Sequence, residues 1–249
     1  MRFPSIAIIL ILFSQSLLLG QQNDDVIINE IGFGGLDPAH YRGGDYIELL
    51  VVNPDGVRLG GWFLTDLSST SDDPGISEGA IQFSEEEGSV FQRVIPVGTY
   101  ILVCLGSRDQ AYGSGRQEED VTLDDGNNRL VVFADRLSPH IVPTRGTLQL
   151  TNEDNVALLH SWYDEAAVDV VTWGGASRWK YTKTTSLAPG ESDWGRIAYF
   201  IPREESLDGF RDNTDPLKWV LTTDVQQSTP GYCNRGVDDL ILQKQRLIK

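Results

Sequence analysis

The sequence predicts an all-β fold, a sandwich or a barrel, on three observations. Apolar and polar residues alternate with a period of two in one run after another, whereas helical periodicity does not recur. The runs are short. They are separated by clusters of Gly, Pro, Asn and Asp, the residues that end strands and form turns. A chain of 249 residues holds either one ample all-β domain or two small ones, and each can bury a core.

VIINEI, residues 26–31, opens the series, and DYIELLVV, residues 45–52, follows it. In the second run Ile47, Leu49 and Val51 share one face, while Tyr46, Glu48, Leu50 and Val52 share the other; the first is the expected core face. NPDG, residues 53–56, then puts Pro where a turn wants φ of about −65° and Gly where φ is commonly positive. VRLGGWFLTD, residues 57–66, returns from that turn, so the two runs read as a β-hairpin. Within it Trp62 and Leu64 alternate with Phe63 and Thr65, which sends a large aromatic into the interior past Gly60 and Gly61. Full burial of that ring is worth about 2 to 3 kcal/mol, and packing is the expected purpose of the motif.

Seven further runs complete ten predicted strands: IQF (81–83), TYILVCL (99–105), RLVVF (129–133), TLQL (147–150), VALLHSW (156–162), VDVVTW (168–173) and KWVLTT (218–223). The segments 67–80, 106–128 and 174–217 are polar, rich in Gly, Ser, Asp and Glu, and read as long surface loops with short helical turns. Loops of that length in a compact domain are where a site is sought. Residues 235–249 follow a break and carry apolar residues at 237, 240, 241, 242, 247 and 248. They read as a short amphipathic helix, an extra strand, or a tail that connects to a partner.

Residues 1–20 read as a secretory signal peptide: Arg2 precedes an apolar run from Ile6 to Leu19, and polar residues begin at Gln21. Cleavage is expected near Gly20 or Gln21. No later run approaches the length of a membrane span, so a secreted, periplasmic or cell-surface location without a span in the mature chain is expected. With Lys+Arg 20 against Asp+Glu 36, the net charge of −16 repels phosphate backbones, which argues against nucleic acid as a partner. Export permits a disulfide between Cys104 and Cys233, but two cysteines make no disulfide scaffold, and Cys104 also reads as a small buried hydrophobe. Neither their number nor their spacing fits structural zinc.

Four short motifs in order carry a resemblance. They are Ile27, Asn29, Glu30 and Ile31 in VIINEI; Tyr46, Ile47, Glu48 and Leu49 in DYIELL; Leu59, Gly61, Trp62 and Leu64 in LGGWFL; and Thr229, Pro230, Gly231 and Asn234 in STPGYCN. Together with the strand introduced by IPVGTYILVC and the stretch NEDNVALLHSWYDEAAVDVVTW, the pattern resembles the lamin tail domain family in its secreted bacterial form. The resemblance covers residues 25–234 and implies an immunoglobulin-like β-sandwich. It also implies that Asn29, Glu30, Glu48, Gly61, Trp62, Pro230, Gly231 and Asn234 are structural motif positions. The chain departs from that family in length, with the excess in its three long loops.

Catalytic patterns are not nominated by the residues. His40, His140 and His160 lie far apart and lack a metal-ligand spacing, and no Gly-x-Ser-x-Gly elbow offers a nucleophile. Asn29 and Glu30 are expected to satisfy backbone donors. The loop SLDGFRDNTDP, residues 206–216, offers Asp208, Asp212, Asn213 and Asp215 as oxygen ligands for calcium, although not at EF-hand spacing. DDGNN, residues 124–128, is a lesser candidate of the same kind. No other cofactor is expected. The leading functional reading is an exported, non-catalytic binding, adhesion or attachment module that holds a protein or glycan at the cell envelope. Two alternatives are a structural component that assembles through edge strands or its tail, and a hydrolase whose site is built from the long loops.

Overall fold

Strands form where the sequence is most apolar, and their pairing was resolved in a computed structural model that describes residues 25–32, 45–67, 77–105, 119–123, 128–134, 138–150, 154–161, 167–173, 185–187, 197–201 and 213–222. In chain order they are β1 (Val26–Gly32), β2 (Tyr46–Val51), β3 (Phe63–Leu67), β4 (Ser77–Phe83), β5 (Tyr100–Cys104), β6 (Arg129–Phe133), β7 (Ile141–Arg145), β8 (Asp154–Leu159), β9 (Asp169–Trp173), β10 (Thr185–Ser186), β11 (Ile197–Phe200) and β12 (Trp219–Thr222). Single 3-10 turns lie at Val90–Gln92 and Pro216–Lys218.

Among the described residues the strands make two six-stranded sheets, ordered β12-β11-β1-β2-β5-β6 and β10-β9-β8-β3-β4-β7. Neighbours run antiparallel except β5 with β6 and β9 with β10. One apolar core joins the sheets, with Ile28, Ile31, Ile47, Leu49 and Val103 from the first packed with Leu64, Ile81, Phe83, Leu158 and Trp173 of the second. Each such aliphatic side chain contributes about 1.5–3 kcal/mol by leaving water, which holds the two layers together. The all-β sandwich expected from the sequence is the fold that forms.

Burial is not confined to the layer between the sheets. Ile47, Leu49 and Val51 of β2 lie in the core as expected, and every other residue of the strand is buried as well. Tyr46 joins Leu102, Cys104, Val131 and Phe133 in a second apolar cluster on the first sheet. Phe63 packs on Ala157, Leu159, Ala167 and Val170 in a third, on the second sheet.

Several expectations are corrected. The NPDG turn forms as read: the Gly56 amide donates to the Asn53 carbonyl at 3.0 Å, and Gly56 has φ of 76°. Asn53 Oδ1 also accepts from the Asp55 amide at 2.8 Å. Yet no hairpin follows, because β2 pairs with β1 and β5 while β3 pairs with β4 and β8 in the other sheet. Both edges of β2 are already occupied, so the chain leaving the turn makes only a bridge, Val57 to Ile95, before it crosses between layers. TLQL is not a strand. Leu148 and Leu150 are buried without ladder pairing, so their alternation marks burial alone. Strands β7, β10 and β11 lie where none was expected, and β11 is inserted between β1 and β12 inside the segment 174–217 read as a loop.

The signal peptide 1–20, the tail 235–249, His40, Asp208, Asp212, Cys233, and the motif positions Thr229, Pro230, Gly231 and Asn234 lie outside the described residues. No helix among the described residues is long and apolar enough to cross a membrane.

Candidate functional site

The motif residues of the first two strands form one buried polar network. Strand β1 carries a bulge, its register passing from Ile28 opposite Leu49 to Glu30 opposite Glu48, so Asn29 is the extra residue. The Asn29 amide donates to Glu48 Oε1 at 2.7 Å, and the Tyr46 hydroxyl donates to Glu30 Oε1. Asn29, Glu30 and Glu48 are all buried. A buried carboxylate is costly unless hydrogen-bonded, and these bonds to side chains offset that cost. Asn29 and Glu30, expected to satisfy backbone donors at a strand end, enter a side-chain network inside the strand, where the bulge turns both residues out of simple alternation.

The same bulge is tied to the opposite sheet. Asp169, at the start of β9, is fully buried, and its Oδ2 accepts from the Ile28 amide at 2.7 Å and from the Asn213 amide at 2.6 Å. Asn213 donates to the Ile28 carbonyl as well, at 3.2 Å, and its own carbonyl accepts from the Trp219 indole at 2.9 Å. Strand β11 pairs with β1 only from Glu30 to Gly32, so the carboxylate and the amide serve the backbone of Ile28 where no strand does. Sequence reasoning passed over Asp169, although an acid inside the apolar run VDVVTW was a signal for it.

Trp62 sits elsewhere than expected. It precedes β3, is half-buried, and packs on the margin of the core instead of filling it, while Leu64 takes the fully buried position. Alternation aims the ring inward correctly, but it does not reveal that the sheet ends there. The turn is set by Gly61, whose φ of 89° suits the third residue of a type II turn closed by the Trp62 amide donating to the Leu59 carbonyl at 2.9 Å. Beyond the pair Phe63 and Leu159 the next residues are Trp62 and His160, and their rings meet edge-to-face at 4.3 Å. His160 is exposed.

Polar side chains converge on that turn. A Cβ placed on Gly60 would lie 2.3 Å from Gln92 Nε2, and one on Gly61 would lie 2.8 Å from Glu85 Oε1, so the amide and the carboxylate lie directly over the two glycines. The glycines leave room for these two side chains. Gln82 Nε2 donates to the Gly61 carbonyl at 3.4 Å from the strand alongside. Glu85 and Gln92 are exposed and Gln82 is half-buried. Trp62 and His160 meet at one end of the sandwich, and Glu85 and Gln92 lie over the turn beside them, while Gln82, opposite Phe63, reaches the Gly61 carbonyl from the other face of the sheet. Only Trp62 was singled out from sequence as a motif residue, since Glu85, Gln92 and His160 come from three separate segments.

The remaining candidates are placed as follows. Asn213 spends its amide on Asp169 and Ile28, and Asp215 caps the 3-10 turn by accepting from the Leu217 amide at 3.0 Å. His140 is buried and its Nδ1 accepts from the Val90 amide at 3.2 Å, which fastens the turn that leads into Gln92. Cys104 is a buried free thiol, pushed up to about 12 first by burial and then by the Glu119 carboxylate. Such a thiol is inert at neutral pH.

No family model matches this sequence, and no curated protein matches it either. Among solved structures the chain is similar to a DUF4876 family protein from Bacteroides thetaiotaomicron, at 10% sequence identity and a TM-score of 0.49, over 86% of this chain and 75% of that one.

Proposed function

We propose that the protein is an exported, non-catalytic binding or attachment module of the lamin tail kind, holding a protein or glycan at the cell envelope. One observation carries the reading: a half-buried indole with an exposed imidazole against it, and an exposed amide and carboxylate over the adjoining backbone turn, at the end of the sandwich. Rigid scaffolds that present clustered side chains from loops and strand ends are how such modules hold partners. The buried acids support it too, since Glu30, Glu48 and Asp169 are engaged in holding strands. The lamin tail assignment draws on the same residues, because Asn29, Glu30, Tyr46 and Glu48 from two of its motifs interact directly.

The test is capture from the parent organism's envelope with the purified protein as bait, run beside a Gln92→Ala variant. Retention of one component by the natural protein, reduced in the variant, is the expected result; equal retention by both, or none, would refute the role of this cluster. A second reading, assembly through an edge, has its own observation. Among the described residues strand β12 ends the first sheet; Leu221 within it is 39% exposed and Leu217, just before it, 83%. Light scattering would show an oligomer that Leu221→Asp dissociates; a monomeric mass at all concentrations removes that reading.

A further inference from the structure

We infer that the cluster around Trp62 is a carbohydrate subsite that takes a neutral pyranose unit of a longer glycan; this rests on the binding-module reading above and gives it a ligand class. The backbone at the turn is already spent. The Gly60 amide donates to the Phe91 carbonyl, the Gly61 amide to the Phe83 carbonyl and the Trp62 amide to the Leu59 carbonyl, while the Trp62 carbonyl accepts from the Phe83 amide. Strand β3 is flanked on both sides by β4 and β8. An extended peptide therefore finds no free ladder to join here, and a ligand must be read by side chains.

Those side chains suit sugar hydroxyls. Among the described residues, Glu85, Gln92 and His160 spend no side-chain group on an internal hydrogen bond. An amide both donates and accepts, as a hydroxyl does, and a carboxylate accepts from two neighbouring hydroxyls at once. A half-buried indole, fixed by the core behind it and by His160 at its side, offers rigid amphipathic area for the C–H face of the ring at little entropic cost. Gly60 and Gly61 let the Gln92 amide and the Glu85 carboxylate lie close over the turn that leads into Trp62. Charge narrows the class. A net charge of −16, with the Glu85 carboxylate over the turn, disfavours phosphorylated, sulfated and uronic glycans and leaves neutral ones.

The experiment is native electrophoresis of the purified full chain through gels containing a neutral β-glucan, galactomannan or xylan, with polygalacturonate as the anionic comparison. Calorimetric titration with the matching hexasaccharide follows. Retardation by at least one neutral polymer and not by polygalacturonate is expected, with the dissociation constant raised about tenfold in Trp62→Ala, as for the loss of an aromatic anchor, and several-fold in Gln92→Ala and Glu85→Gln. The last two positions are exposed, so these variants decide the matter if Trp62→Ala fails to fold. Retardation by no neutral polymer, or undiminished binding by the folded variants, overturns the inference. If no polymer binds but envelope capture retains a protein that the Gln92→Ala variant loses, the glycan class falls and the binding-module reading stands. If neither assay shows retention, both fall.

Discussion

Replacing Asp169 by Ala tests the link between the two sheets. The carboxylate accepts from the Ile28 amide at 2.7 Å, the Val170 amide at 2.9 Å and the Asn213 amide at 2.6 Å, in a site with no solvent exposure. Hydrogen bonds to a charged group contribute about 1.5–3 kcal/mol each, but removing the charge also relieves its desolvation cost, so the bonds do not simply add. What decides the outcome is the donors left behind. The Ile28 and Asn213 amides lose this acceptor where water does not reach, at about 1–3 kcal/mol apiece, which predicts a loss of roughly 3–5 kcal/mol. That is a large share of the 5–15 kcal/mol on which a domain of ordinary stability depends. Asn213→Ala should cost less, about 1–3 kcal/mol, and the double variant should cost less than the two together because they share one bond. Urea unfolding followed by tryptophan fluorescence at pH 7 measures all three. A loss below about 1 kcal/mol in Asp169→Ala, or strict additivity in the double variant, would refute the link.

Two further outcomes follow from the structure. Burial chiefly, and Glu119 secondarily, raise the Cys104 thiol from its ordinary 9.0 to about 12, so the folded chain holds this proton more tightly than the unfolded one. The resulting stability is complete below pH 9 and lost as pH rises toward 12, up to about 4 kcal/mol in all; unfolding of Cys104→Ala should show a shallower alkaline decline than the natural protein, and parallel declines would contradict the assignment. Gly56→Ala forces a Cβ to within 2.6 Å of the Ile95 carbonyl oxygen at φ of 76°, so a loss of about 2 kcal/mol or more in a thermal melt is expected, and an unchanged melting temperature would show that the turn relaxes freely.

How much of this was legible in the sequence depended on what each signal encodes. Period-two patterning located nine of the strands, because those runs are buried and apolar. It said nothing of partners: the NPDG turn was read correctly, but turn chemistry fixes a local reversal, not which sheet receives the returning strand. Strand β7 was missed because it is an edge with Pro143 in it and alternates poorly, and β11 because four residues within a long polar segment carry little pattern. TLQL was overread for the opposite reason, since Leu148 and Leu150 are buried without a ladder. The candidate site was barely visible. Trp62 could be named, but His160 meets it only through β3–β8 pairing, and Glu85 and Gln92 reach its turn from the chain after β4.

The buried acids raise a final question, because hydrophobic replacements for buried polar networks are often neutral or stabilising. Their placement points to register. A slip of one residue in β1 against β2 would exchange its faces while keeping an apolar residue at almost every buried position, since Val26, Ile27 and Ile28 are interchangeable in that sense. The slip would break the Asn29–Glu48, Tyr46–Glu30 and Ile28–Asp169 bonds together. On this hypothesis the network fixes one alignment among near-equivalent ones. Replacing Asn29 by Val and Glu48 by Leu in one chain should then leave stability within about 2 kcal/mol while doubling the amide resonances of β1 and β2, as two registers become populated. A single sharp set of resonances from the folded double variant would show that the apolar pattern and the bulge hold the alignment without the acids.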